Sequence, residues 1–192
     1  MMNKTDFEFE YSIYREFISD LAKVAFSLHE NVNQKYGMFP YSVHLHKTLE
    51  KALKYGQNVA EVNSDVLILC ISALFHDVLE DTRTTYNDLQ NILIKNGCDD
   101  YLTRNVAEIV WAVTQPIGRN RKERQCPEYY AKISAHKFAS FIKMCDRLAN
   151  LEMSKYYSGQ KMTMYKKEEF LSNIDKSEIC EEMLNEYREL TK

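Results

Sequence analysis

The stretch DVLILCISALFHDVLEDT (65–82) constrains the fold more than any other part of the chain. Its run VLILCISAL (66–74) is apolar on all sides of a helix. Such a helix cannot lie on a surface, so it must run through the centre of a domain. Ser64 and Asp65 offer a cap at its start. It then delivers His76, Asp77, Glu80 and Asp81 within six positions. A core does not accept so dense a charged cluster unless something compensates it.

The rest of the chain has helical periodicity. Tyr14, Phe17, Ile18, Leu21, Val24, Ala25 and Leu28 recur at three- and four-residue steps, which predicts a first helix over about 6–33. The stretch NQKYGMFPYS ends it, with Gly37 and Pro40 as punctuation. A second helix starts near Ser42, carries His44, Leu45, Thr48, Leu49, Ala52 and Leu53, and stops at Tyr55-Gly56. Thr84 or Thr85 caps a short helix over 86–95, and 101–114 is amphipathic. The segment QPIGRNRKERQCPEY (115–129) has the composition of a loop, and helices are expected at about 134–154, 163–173 and 176–191. No strand, repeat, low-complexity tract or linker is evident. With 5 Gly and 3 Pro in 192 residues, the chain suits long helices around one core. The expected fold is all-α, one domain over 1–192.

A net charge of −3 argues against bulk binding of nucleic acid or acidic membrane, while leaving room for a local basic patch that takes a nucleotide. The start MMNKTDFEFEY has no apolar signal core and no stretch of 18 apolar residues occurs, so a soluble, cytoplasmic protein is expected. The cysteines Cys70, Cys98, Cys126, Cys145 and Cys180 are odd in number, scattered and without a CxxC, which fits reduced thiols rather than a zinc knuckle or disulfide framework.

The compensating group for the charged cluster is best sought among cations. Adjacent helical residues point about 100° apart, so His76 and Asp77 share a partner only near a helix end or when both lean towards one point. A divalent Mn, Fe or Zn ion is such a partner, since imidazole nitrogen and carboxylate oxygen both ligate it. Two ligands do not close a site. The candidates elsewhere are His44 or His46, about 200° apart on the second helix, and Asp146, which borders the stripe of Phe138, Phe141, Ile142 and Cys145. A surface ion pair of Asp146 with Arg147 is the plainer alternative, as are structural roles for His29 and His136.

Three segments together resemble the HD-domain metal-dependent phosphohydrolases, in particular the RelA/SpoT-type alarmone hydrolases and their small single-domain relatives. FHDVLEDT (75–82) resembles their HDxxED, PYSVH (40–44) their PYxxH, and IKMCDRLANL (142–151) their VKLADRLxNL. The resemblance covers about 25–152, leaving 153–192 as a helical tail. It implies an HD-type helical bundle with metal ligands His44, His76, Asp77 and Asp146, and Mn²⁺ as the usual ion. It implies Glu80 and Asp81 as the acidic pair that activates the attacking water, with a small nucleotide as partner. Basic residues between the HD motif and the last aspartate contact phosphates in the family. This points to Arg121 and Lys122 in GRNRKER (118–124), a stretch otherwise read as a solvated basic loop. Lys143 and Asn150 match positions near the family's site, which implies a phosphate contact for Lys143 and a nucleoside contact for Asn150, with packing and capping roles as the plainer alternatives, and Lys35 matches a basic position on the substrate side.

The implied reaction is removal of pyrophosphate from the 3′ side of a guanosine alarmone such as ppGpp. The pattern RKxGxPYxxH is altered here to NQKYGMFPYSVH: no Arg is present, Gly37 lies one residue farther from His44, and Leu45 replaces a proline. These changes leave the metal ligands intact and bear on base recognition. They support a second reading, a nucleoside monophosphatase or NADPH phosphatase that releases orthophosphate. A silent, nucleotide-binding HD sensor is a third.

Overall fold

The structure, a computed structural model, describes residues 1–157, 162, 163, 165 and 169–192. It is an all-α bundle built around α3 (Asn63–Phe75), which is buried over nearly its whole length, as its all-round apolar run requires. Helices α1 (Lys4–Glu30), α2 (Ser42–Tyr55), α6 (Asp100–Val113) and α9 (Ala139–Tyr157) pack against it. A single cluster of buried side chains runs through all of them. Among the described residues no helix is long and apolar enough to cross a membrane. Residues 158–161, 164 and 166–168 lie outside the description, and with them four of the eleven positions of the helix expected over 163–173.

Several boundaries differ from expectation. Helix α1 stops at Glu30, and a two-residue antiparallel pair follows, β1 (Lys35–Tyr36) against β2 (Phe39–Pro40). Gly37 at φ 65 makes that reversal, in a region few other residues adopt freely. Helix α3 is not capped by Ser64: the Asp65 carboxylate, inside the first turn, accepts the N–H groups of Glu61 and Val62 at 2.9 and 3.2 Å. Beyond α3 lie the single turn α4 (Val78–Asp81) and α5 (Tyr86–Lys95), where Thr85 and Asp88 form a reciprocal cap.

The loop-like segment contains the single turn α7 (Arg121–Arg124) and the start of α8 (Pro127–Ser134), a helix where none was expected, and the helix expected from 134 begins only at Ala139. The chain breaks before α9 at Phe138, whose φ of 68 cannot continue a helix. The tail holds the turn α10 (Phe170–Asn173) and α11 (Glu181–Thr191), later than the 176 expected.

An ionic ladder fastens α11 to the bundle. Lys47, Lys51 and Lys54 repeat at helical spacing on α2, and Lys51, 8% exposed, bonds both Glu152 of α9 and Glu186 of α11 at 2.6 Å. Glu186 also accepts from Lys54 and the Tyr55 hydroxyl. Burial alone would raise the Glu186 pKa, but Lys51, Lys54 and Tyr55 hold it down at about 2. A depressed carboxylate stabilises the fold at pH above its unfolded value and loses that contribution as pH falls towards the folded one. Glu186→Gln is therefore expected to cost about 1.5–3 kcal/mol in urea denaturation at pH 7. The difference from wild type should shrink as pH falls from about 4.5 to about 2.

Candidate metal centre

Helix α3 ends at Phe75, so His76 and Asp77 fall at the junction with α4. Asp77 adopts φ −100 and ψ 0, a bridge conformation that turns its side chain beside His76 instead of a hundred degrees away. The helix-end condition for a shared partner is thus met. His44 comes from the first turn of α2 and Asp146 from α9, while His46 faces outward against Phe26.

Four ligand atoms converge, all within 4.8 Å of one another. His76 Nε2 lies 2.9 Å from Asp77 Oδ2 and 3.7 Å from Asp146 Oδ1. His44 Nε2 lies 3.2 and 3.3 Å from the same two oxygens, and 3.1 Å from His76 Nε2. His76 Nδ1 is 2.9 Å from the Ala73 carbonyl, which can only accept a hydrogen bond, so Nδ1 carries a proton and Nε2 is the nitrogen turned to the centre, free to ligate once its own proton is lost. Both histidines and Asp146 are buried, and Asp77 nearly so. A set of two imidazole nitrogens and two carboxylate oxygens fits a transition-metal dication such as Mn, Fe or Zn.

The electrostatics favour positive charge at this point. Burial pulls the His76 pKa down, but Asp77 and Asp146 outweigh it and push it up to about 10. Burial would raise both carboxylates, but His76 and His44 hold Asp77, and Lys143 together with the two imidazoles holds Asp146, well below the usual carboxylate range. Asp146 divides its oxygens: Oδ1 faces the imidazoles, and Oδ2 bonds Lys143 Nζ at 2.8 Å. Lys143 is 6% exposed, and burial would lower its pKa, but Asp146 raises it well above the ordinary lysine value.

A cavity of about 130 Å³ opens over these ligands. Its walls carry the carboxylates of Asp77, Glu80, Asp81 and Asp146 and the cations Arg121, Lys143 and Arg147. With both imidazoles neutral, as ligation requires, that leaves one negative charge in excess, which a bound dication turns into one positive charge. Glu80 accepts the Gln115 N–H at 3.1 Å. As a residue Glu80 is exposed, yet the protein around its carboxylate strips enough hydration to raise its pKa, Lys143 opposing and Asp77 adding.

The cavity thus gathers Glu80, Asp81, Arg121, Lys143 and Asn150 with the ligands. Lys35 and Lys122 are exposed and outside its walls. Arg147 is no surface ion pair: it is 3% exposed, with its guanidinium over the rings of Tyr165 and Phe170 at 4.8 and 4.4 Å. Tyr41, Gln115, Gln125 and Tyr165 also line the cavity and were not singled out in the sequence. Tyr41 had a signal, since it precedes His44 by three residues at the start of α2. His29 and His136 are structural, bonded through Nδ1 to the carbonyls of Ala25 and Lys132.

No protein-family model and no curated protein matches this chain.

Coordination requires the His76 lone pair, and a pKa raised to about 10 means that the metal-free protein carries a proton there at neutral pH. Titration with Mn²⁺ at pH 7.5 should therefore show one ion per chain and at least one proton released. The proton count is read from calorimetry in buffers of different ionisation enthalpy, and affinity should weaken as pH falls. His76→Ala should abolish the binding; heat independent of buffer would contradict the assignment.

Proposed function

We propose that the protein is a metal-dependent phosphohydrolase acting on a nucleotide, with the 3′-diphosphate of a guanosine alarmone such as ppGpp as its substrate. The observation that carries this reading is the meeting of four ligand atoms within 4.8 Å, on a cavity that also presents Glu80 and Lys143. The resemblance of PYSVH, FHDVLEDT and IKMCDRLANL to alarmone hydrolases supports the choice of substrate. His44, His76, Asp77 and Asp146 would hold a Mn²⁺ ion, which would supply Lewis acidity towards water and phosphoryl oxygens when bound.

The remaining work belongs to the side chains. Glu80 accepts the proton of the attacking water; its raised pKa moves it towards operating pH, where a base works best. Asp81, on the same wall, helps to orient that water. Lys143 and Arg121 meet anionic oxygens, Arg121 with a fork suited to phosphate. Water oxygen bonds to the phosphorus on the ribose side, the bond to the ribose 3′ oxygen breaks, the proton taken up by Glu80 is returned to that 3′ oxygen, and GDP and pyrophosphate leave.

Binding pockets for whole drug-sized ligands run to about 300 Å³ and more, so a cavity of about 130 Å³ takes the phosphoryl end and leaves the nucleoside at its mouth. The exposure of Lys35, the residue that the resemblance places near the base, favours a second reading. In that reading a nucleoside monophosphate or NADPH loses orthophosphate.

Incubation with Mn²⁺ and ppGpp should yield GDP and pyrophosphate in equal amounts. Glu80→Gln should lower kcat by about 10²–10⁴-fold with the ion retained. Orthophosphate from a monophosphate in place of pyrophosphate selects the second reading. No turnover of either class by protein holding one ion per chain would refute both.

A further inference from the structure

We infer that the short hairpin ahead of α2 is an outer clamp on the metal centre, with Tyr36 and Tyr41 as positioning residues that fix three of the four ligands. The inference rests on the metal-centre reading and goes beyond it.

Tyr41 donates its hydroxyl to Asp77 Oδ2 at 2.5 Å, the oxygen that faces both imidazoles. Its ring stacks on His29 of α1 at 4.6 Å and 11°. His29 is fully buried, with Nδ1 2.9 Å from the Ala25 carbonyl, so this ligand is tied back to a long helix that supplies none itself.

Tyr36 acts from the other side. Its ring stacks on the His44 imidazole at 4.7 Å and 30°, and its hydroxyl donates to Asn150 Oδ1 at 2.9 Å. Asn150 passes the constraint on, its amide nitrogen donating to Asp146 Oδ1 and to the Asp146 carbonyl. Both functional atoms of Asn150 are thereby used inside the protein. Asn150 is a relay to a ligand rather than a contact for the nucleoside.

The two tyrosines meet edge-on at 6.2 Å, and each is 8% exposed. Their spacing comes from the hairpin: Tyr36 pairs with Phe39 across the Gly37-Met38 reversal, and Tyr41 follows β2 directly. The terminal torsion of an aspartate is broad and roughly two-fold. A donor on the ligating oxygen narrows it before an ion arrives. Outer partners of this kind are worth about 10–100-fold in metal affinity.

Tyr36→Phe and Tyr41→Phe remove only the hydroxyls and keep both ring stacks. Mn²⁺ affinity of wild type and both variants is measured by calorimetry, with the thermal midpoint of the metal-free proteins and the KM for ppGpp at saturating Mn²⁺ alongside. The expected result is a loss of about 10–100-fold in Mn²⁺ affinity in each variant, with KM unchanged. This loss supports the clamp even if no nucleotide is hydrolysed, so it is separable from the hydrolase reading. Affinity within twofold of wild type in both variants overturns the clamp. So does a raised KM at unchanged metal affinity, which would turn the tyrosines towards substrate. A wild type that binds neither Mn²⁺ nor Zn²⁺ overturns the clamp together with the centre.

Discussion

Two carboxylates that stay ionised inside the bundle are the constraint on which the rest depends. Asp77 and Asp146 sit within a few ångströms of each other, in a region that water does not solvate freely. Left alone, like charges at that separation would drive one of them to take up a proton. Here both are held ionised by what surrounds them: two imidazoles, the Lys143 ammonium and the Tyr41 hydroxyl. The fold is organised to bring these groups together. Helix α3 terminates where it does so that His76 and Asp77 face the same way, and α9 lies across it so that Asp146 arrives from the other side. The apolar bulk of α3 then serves a second purpose, as the low-dielectric wall that strengthens each of those interactions.

Much of this was legible in the sequence because it depended on local pattern. An all-round apolar run can only be central, and a His-Asp pair placed straight after it can only converge if the helix stops there. The start of α2 and a threonine cap at 84 or 85 follow from residue chemistry alone, while the reciprocal bond from Asp88 emerges only in the structure. What escaped was set by tertiary contact or by ambiguous signals. Pro127 falls inside the segment whose composition suggests a loop, yet it occupies the first position of α8, where proline is well tolerated. Two-residue strands are too short to show alternation, so the hairpin left no periodic trace. Arg147 is adjacent to Asp146 in sequence, yet neighbours on a helix diverge, and its guanidinium goes to aromatic rings contributed by the tail. Tyr36 and Tyr41 acquire meaning only once Asn150 and Asp77 are known to lie beside them.

The altered RKxG segment gains a physical interpretation from the same geometry. In the pattern it resembles, this segment serves base recognition; here its Tyr36 is committed to His44 and Asn150, and Lys35 is exposed and outside the cavity walls. A side chain that stacks on His44 and bonds Asn150 cannot also swing out to cradle a purine without giving up both contacts. Precise ligand geometry and recognition of a base thus compete for one short hairpin. The small cavity and the internal use of Asn150 both fall on the side of ligand geometry. On the proposed reading, discrimination is therefore concentrated at the phosphoryl end, where Lys143 and Arg121 meet charge, and the nucleoside is selected by whatever the rim offers. A site built in this way ranks substrates by the number and placement of their phosphates before it ranks them by base.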